Sequence, residues 1–167
     1  MSWHTNKEFY ISWEEFHRAT RELSKQLLPA TQWRGIIAVS RGGLVPAAIV
    51  ARELNIRLVE SICCSSYDHD DQRDMQVLNH PAIPDDGEGF LVVDDLVDTG
   101  GTLKLLRKMY PNAHFVTVYA KPQGEPLVDR FVANMEQETW VHFPWDVQLN
   151  YSTPLVDIIR MFLRNTV

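Results

Sequence analysis

Val92-Val93-Asp94-Asp95-Leu96-Val97-Asp98-Thr99-Gly100-Gly101-Thr102 is the stretch on which fold and chemistry both turn. It continues the apolar run Gly89-Phe90-Leu91, short and unbroken, as in a strand buried on both faces of a parallel sheet. Two carboxylates stand at the carboxyl end of that strand. Asp94 to Gly101 reads as a turn carrying a third carboxylate, and Thr102 to Tyr110 reads as a helix. The free backbone N–H groups at a helix start form an anion site. Glycines let that backbone approach a phosphate, and threonine hydroxyls add donors. Asp94 and Asp95 can then accept from sugar hydroxyls or face a divalent cation, so the stretch points to a phosphorylated sugar. Asp-Thr-Gly-Gly alone would be no more than a helix cap. The whole pattern of apolar strand, paired acids, third acid and Thr-Gly-Gly-Thr rarely arises for structural reasons.

Outward from this stretch the chain alternates strands with helices. Ser12-Trp13-Glu14-Glu15 has the form of a capping box, and Phe16, Thr20, Leu23 and Leu27 follow at helical spacing, which predicts a helix over 13–28. Gly35 to Ser40 is a second buried strand, broken by Arg41-Gly42-Gly43. Leu44, Ala47, Ala48, Ala51 and Leu54 share a helical face, and Leu58 to Cys64 fits another strand. The polar stretch from Ser65 to Glu88 reads as a long loop, a feature that usually serves function. Phe115 to Ala120 is a fourth strand, ending at Lys121-Pro122. The alternation predicts an α/β domain with a mainly parallel sheet, whose ligands bind at the carboxyl ends of the strands. Ser40 to Gly43, Asp94 to Thr102 and Lys121 all lie at such ends.

Composition narrows the class. With 167 residues, 45% hydrophobic and 23% charged, the chain fits a single globular domain over 1–167. A net charge of −6 argues against a nucleic-acid partner. Cys63 and Cys64 are adjacent; on a strand they would point to opposite faces, so they are read as reduced thiols of a cytoplasmic protein. Met1 to Glu8 has no basic start followed by an apolar stretch, so no signal peptide is expected. No run of about 18 apolar residues suggests a membrane span.

Val92 to Thr102 resembles the signature that binds 5-phosphoribosyl-1-pyrophosphate (PRPP) in the type I phosphoribosyltransferases. The resemblance extends to their bacterial xanthine-guanine branch. It is carried by Gly35 to Pro46, Ser65 to Asp70, Gly87 to Phe90, Ala113 to Thr117, Lys121-Pro122, Thr139-Trp140 and Pro144-Trp145-Asp146, a core of about 10–146. The first eight residues and the tail after Asp146 depart from it. The resemblance implies a mainly parallel sheet flanked by helices with a small hood near the C-terminus. It implies transfer of the phosphoribosyl group to guanine, xanthine or hypoxanthine, with Mg2+ as cofactor and assembly as a homotetramer. It also implies partial association with the inner membrane.

The same resemblance assigns roles. Asp98 would be the catalytic acid/base near N7 of the purine. Asp94 and Asp95 would hold the ribose hydroxyls and magnesium, with Asp95 on the metal. Leu96, Val97, Asp98, Thr99, Gly100, Gly101 and Thr102 would surround PRPP, and Arg41 with Gly42 would form the pyrophosphate loop. Arg73, in the polar stretch, would reach pyrophosphate on closure. Lys121 would donate to O6 of the base, Trp140 would stack on it, and Val141 would offer backbone groups to its edge. Competing readings are a hypoxanthine-preferring relative and a PRPP-binding regulator of the same fold. Against the regulator stand the acidic charge and the joint presence of Asp98, Lys121 and Trp140. In the tail, Thr153-Pro154 followed by Leu155, Ile158, Ile159 and Phe162 predicts an amphipathic helix over about 153–164. Its apolar side would need its own domain, another subunit or a lipid surface.

Overall fold

In a computed structural model of the chain, residues 7–69 and 72–146 are described; for residues 66–69 and 72–74 this extends to the backbone only. Six strands form the main sheet: β2 (Gly35–Ser40), β3 (Val59–His69), β4 (Gln72–Asn79), β5 (Phe90–Val97), β6 (His114–Ala120) and β7 (Ala133–Asn134), in the order β4-β3-β2-β5-β6-β7. All neighbours are parallel except the β3–β4 pair. A separate two-stranded parallel sheet joins β1 (Lys7–Tyr10) to β8 (Thr139–His142).

The buried strands read as continuous apolar runs because each face of the sheet has its own core. Alternate residues Ile36, Ala38, Leu91, Val93, Val116 and Val118 pack with Phe16 and Leu23 of α1 (Trp13–Gln26) and with Ala47 and Val50 of α2 (Leu44–Glu53). Their neighbours Ile37, Val39, Phe90, Val92 and Phe115 face the other way, onto Leu103 and Leu106 of α3 (Gly101–Met109). Two such layers around one sheet are the α/β arrangement that the alternation implied. The capping box forms: Ser12 Oγ accepts the Glu15 N–H, and the Glu15 carboxylate accepts the Ser12 N–H. Cys63 and Cys64 are free thiols.

Three expectations are corrected. The polar stretch from Ser65 is not a loop throughout, because β3 runs to His69 and β4 returns antiparallel to Asn79. Ser65 to Asp74 lacks the apolar period of a half-buried strand, and hairpin pairing takes its place. Asp94 to Val97 is not turn but strand. β5 stays paired to β6 as far as Val97↔Ala120, although its ladder with β2 ends at Ala38↔Val93. The turn is confined to Asp98–Gly100. Finally, the hood is built from both ends of the described chain. Its register Lys7↔Thr139 to Tyr10↔His142 gives β1 a partner that nothing in the opening residues announced. The tail helix expected over 153–164 lies outside the described residues.

Candidate functional site

The strand order fixes where a ligand can sit. From β2 the chain crosses to β3 on one side, and from β5 it crosses to β6 on the other. The loops after β2 and β5 therefore diverge, opening a crevice at their carboxyl ends. Into it project Arg41–Gly43 from β2 and Asp94–Gly101 from β5. A cavity of about 500 Å3 opens beside the end of β5, lined by Asp94, by Asp98 to Thr102 at the start of α3, and by Cys64 and Met75 of the β3–β4 hairpin.

The two strand acids have different surroundings. Asp94 shares the face of Phe90 and Val92 and lines the cavity. Asp95 shares the face of Leu91 and Val93, and its carboxylate lies against Gly42 so closely that a Cβ there would collide with both oxygens. Gly42 is thus required for the approach of the β2 loop to Asp95. Asp95 Oδ1 accepts the Leu96 N–H at 2.7 Å, and Asp94 Oδ1 accepts the Asp95 N–H at 2.9 Å. Burial raises the Asp94 carboxyl well above the usual range, and the adjacent Asp95 charge adds to this. Asp95 is pushed up to about 6, chiefly by burial, with a smaller contribution from Asp146; hydrogen bonds oppose the rise. Removing carboxylates from water disfavours their charged form.

The glycine-threonine loop begins α3. Gly100 has φ +83°, a left-handed conformation open to glycine at little cost, and it is the residue before the first helical turn. Thr99 and Gly101 are exposed and Thr102 half-buried on the cavity wall. The backbone N–H groups of that turn lack partners within the helix, as at any helix start.

Asp98 and Lys121 meet because of strand register. Val97 pairs with Ala120, so the next residue on each strand is Asp98 and Lys121, and the Lys121 N–H bonds the Val97 carbonyl at 2.9 Å. Lys121 Nζ donates to Asp98 Oδ2 at 2.9 Å, with 7% of the lysine side chain exposed against 52% for the aspartate. A buried ammonium is tolerated because it is paired. Gln137 Nε2 donates to Asp98 Oδ1 at 2.7 Å, a partner that sequence reasoning missed. No motif marks it, since it lies in an irregular connection distant in sequence.

Trp140 is not a core tryptophan; at 62% exposure its ring stands out from β8. Val141, the next residue, turns inward onto the core. The hood is fastened beneath by aromatic packing. Phe143 stacks on Trp145 at 4.8 Å, both meet Phe16 of α1 edge-on, and Tyr10 stacks on His142 at 4.3 Å. Arg41 is exposed at the mouth of the β2 loop. Arg73 lies on β4 opposite Asp68, and its side chain is outside the described residues.

An alternating β/α sheet with paired acids at one strand end and a glycine-threonine loop at the next helix start is an α/β architecture whose ligands bind at the strand ends. The chain belongs to the phosphoribosyl transferase domain family, whose pattern matches residues 11–152. It is 65% identical over 156 residues to the xanthine-guanine phosphoribosyltransferase of Idiomarina loihiensis, covering 93% of this chain and 97% of that one. Among solved structures it is similar to a purine phosphoribosyltransferase from Pyrococcus horikoshii, with TM-score 0.72 and 26% identity over 89% of this chain and 97% of the other. It is also similar to the xanthine-guanine-hypoxanthine phosphoribosyltransferase of Helicobacter pylori, with TM-score 0.70 and 28% identity over 85% and 96%.

Proposed function

We propose that this chain transfers the 5-phosphoribosyl group of PRPP to N9 of guanine, xanthine or hypoxanthine, yielding the nucleoside 5'-monophosphate and pyrophosphate. The observation that carries the reading is the Asp98–Lys121 pair beside the phosphate loop. The 5'-phosphate takes the N–H groups and hydroxyls of Thr99 to Thr102, while Leu96 and Val97 hold that loop at the end of β5. Asp94 accepts from the ribose hydroxyls. Arg41, the Gly42 backbone and Arg73 receive the leaving pyrophosphate, for which an arginine fork is suited. As the C1–oxygen bond breaks and the N9–C1 bond forms, Asp98 accepts a proton from the purine. Lys121 has three donors, so it can offer one to O6 and keep another on Asp98. Adenine presents an amino donor at that position, so the ammonium N–H aimed at the base would have no acceptor there, a costly arrangement. Trp140, already exposed, can stack on the base, and Val141 follows it at the base edge.

The donor set fits magnesium. Asp95 stands at the crevice with its carboxyl raised by burial, which an adjacent cation would offset. Among the described residues no three acidic, histidine or cysteine side chains cluster. Magnesium takes one or two protein carboxylates and completes its shell with substrate oxygens and water. Asp95 would hold it, and the ion when bound would neutralise charge on the pyrophosphate.

The whole chain is read as one catalytic domain of a cytoplasmic enzyme, and no described helix is long and apolar enough to cross a membrane. Homotetramer assembly and peripheral membrane contact rest on family resemblance. Light scattering and vesicle flotation test them. The main test is a panel of PRPP, magnesium and each purine base with product detection. Turnover of the three oxopurines with adenine far poorer is expected, and equal use of adenine refutes the role of Lys121.

A further inference from the structure

We propose that Gln137 is a positioning residue that fixes Asp98 for proton transfer and ties it to the strand carrying Trp140; this rests on Asp98 being the proton acceptor. Asp98 stands on an exposed turn, where a carboxylate would otherwise sample several rotamers. Lys121 holds only Oδ2, and the same ammonium must serve O6 of the base. Gln137 Nε2 holds the other oxygen at 2.7 Å. The orientation of this amide is determined. Gln137 Oε1 accepts the Gln123 backbone N–H at 3.1 Å, and a backbone N–H can only donate. The amide oxygen therefore faces Gln123, and the NH2 group faces Asp98.

This side chain joins three elements: the turn after β6 at Gln123, the end of β5 at Asp98, and the approach to β8 three residues before Trp140. Proton acceptor and stacking ring must grip one flat base between them. Gln137 is the hydrogen-bonded link from the segment holding the ring to the acceptor. Each carboxylate oxygen has two lone pairs, so these bonds leave sites for substrate.

Gln137→Glu separates positioning from scaffolding. A glutamate oxygen still accepts the Gln123 N–H, but its partner oxygen confronts Asp98 with no proton to donate. The expected result is a fall in kcat with guanine of about ten- to hundred-fold, the scale of a misplaced catalytic group, with KM for PRPP within about two-fold of wild type. Gln137→Met, which carries no charge, gives the same kcat-specific loss and decides the matter if the glutamate variant does not fold. A folded Gln137→Glu protein with wild-type kcat, alongside an Asp98→Asn protein that has lost turnover, overturns the positioning role and leaves the reaction intact. Full turnover in Asp98→Asn removes the acceptor itself, and the inference with it.

Discussion

Asp95→Asn should make the ligand-free protein more stable while damaging its activity. The carboxyl of Asp95 rises from 3.8 to about 6 on folding. Keeping it ionised in the folded chain therefore costs about 3 kcal/mol relative to the unfolded one, at about 1.36 kcal/mol per unit. The folded chain holds the proton more tightly than the unfolded chain. The contribution of Asp95 to stability is thus most favourable below about pH 4, declines as pH rises towards about 6, and levels above that. Asparagine has no charge to bury, and its oxygen can still accept the Leu96 N–H. Its NH2 needs a partner in the same place, and an unmet one costs at least about 1 kcal/mol, which reduces the net gain to at most about 2 kcal/mol at pH 8. For a chain of this size each kcal/mol raises Tm by about 2–4 °C. Urea unfolding with chelator at pH 4 and pH 8 reads the effect directly: the gain should be present at pH 8 and nearly absent at pH 4. Adding magnesium and PRPP should stabilise the wild type more than the variant, because binding to the folded state adds to stability. A variant no more stable than wild type at pH 8, or equally stabilised at both pH values, would refute the account of Asp95 as a buried carboxylate held for a cation.

Asp98→Asn should lower kcat far more than PRPP affinity, because the amide keeps the shape but cannot accept the proton; a turnover within a few-fold of wild type sinks that assignment. Trp140→Ala should weaken base binding by about 1–3 kcal/mol, seen as a raised KM for guanine. It should leave Tm nearly unchanged, since the ring is mostly exposed; an unaltered KM removes the stacking role. Gly42→Ala should impair PRPP use, because its methyl group would displace the Asp95 carboxylate; normal kinetics would show that the approach of these loops is dispensable. Deleting residues 153–167 should leave the chemistry intact and lower stability or shift assembly, measured by melting and light scattering. Lost activity in a folded, normally assembled truncation would place the tail in the active site.

The parts of this fold that were legible from sequence are those whose pattern has a local cause. Ser12 and Glu15 announce a helix because both halves of the cap lie within four residues. Phe90 to Val93 announces a strand because burial on both faces excludes polar residues throughout. Parts held by distant partners were not legible. Every residue of Lys7–Tyr10 is in large part exposed and the segment carries no apolar period; it is a strand because β8 lies beside it. The β3–β4 hairpin continues past Ser65 through pairing between strands, not through an apolar face. Within the site, the acids and the glycine loop were readable as one contiguous motif, whereas Gln137 is known only by the carboxylate it touches 39 residues away.

The site's division of labour follows from where the ladders end. β5 leaves β2 after Val93 but stays with β6 to Val97, so its last four residues have one open flank and one closed flank. On the open flank, Asp95 meets the β2 loop and the crevice, where a cation and pyrophosphate can enter. On the closed flank, register carries β5 and β6 forward together and delivers Asp98 beside Lys121, the pair suited to a base edge. On the proposed reading, the cation and pyrophosphate take the open flank, while the base takes the closed flank, beside the loop that receives the 5'-phosphate. A single residue inserted into β5 before Asp98 would break this arrangement. It would exchange the faces of the following side chains and separate the Asp98–Lys121 pair, because strand side chains alternate with a period of two.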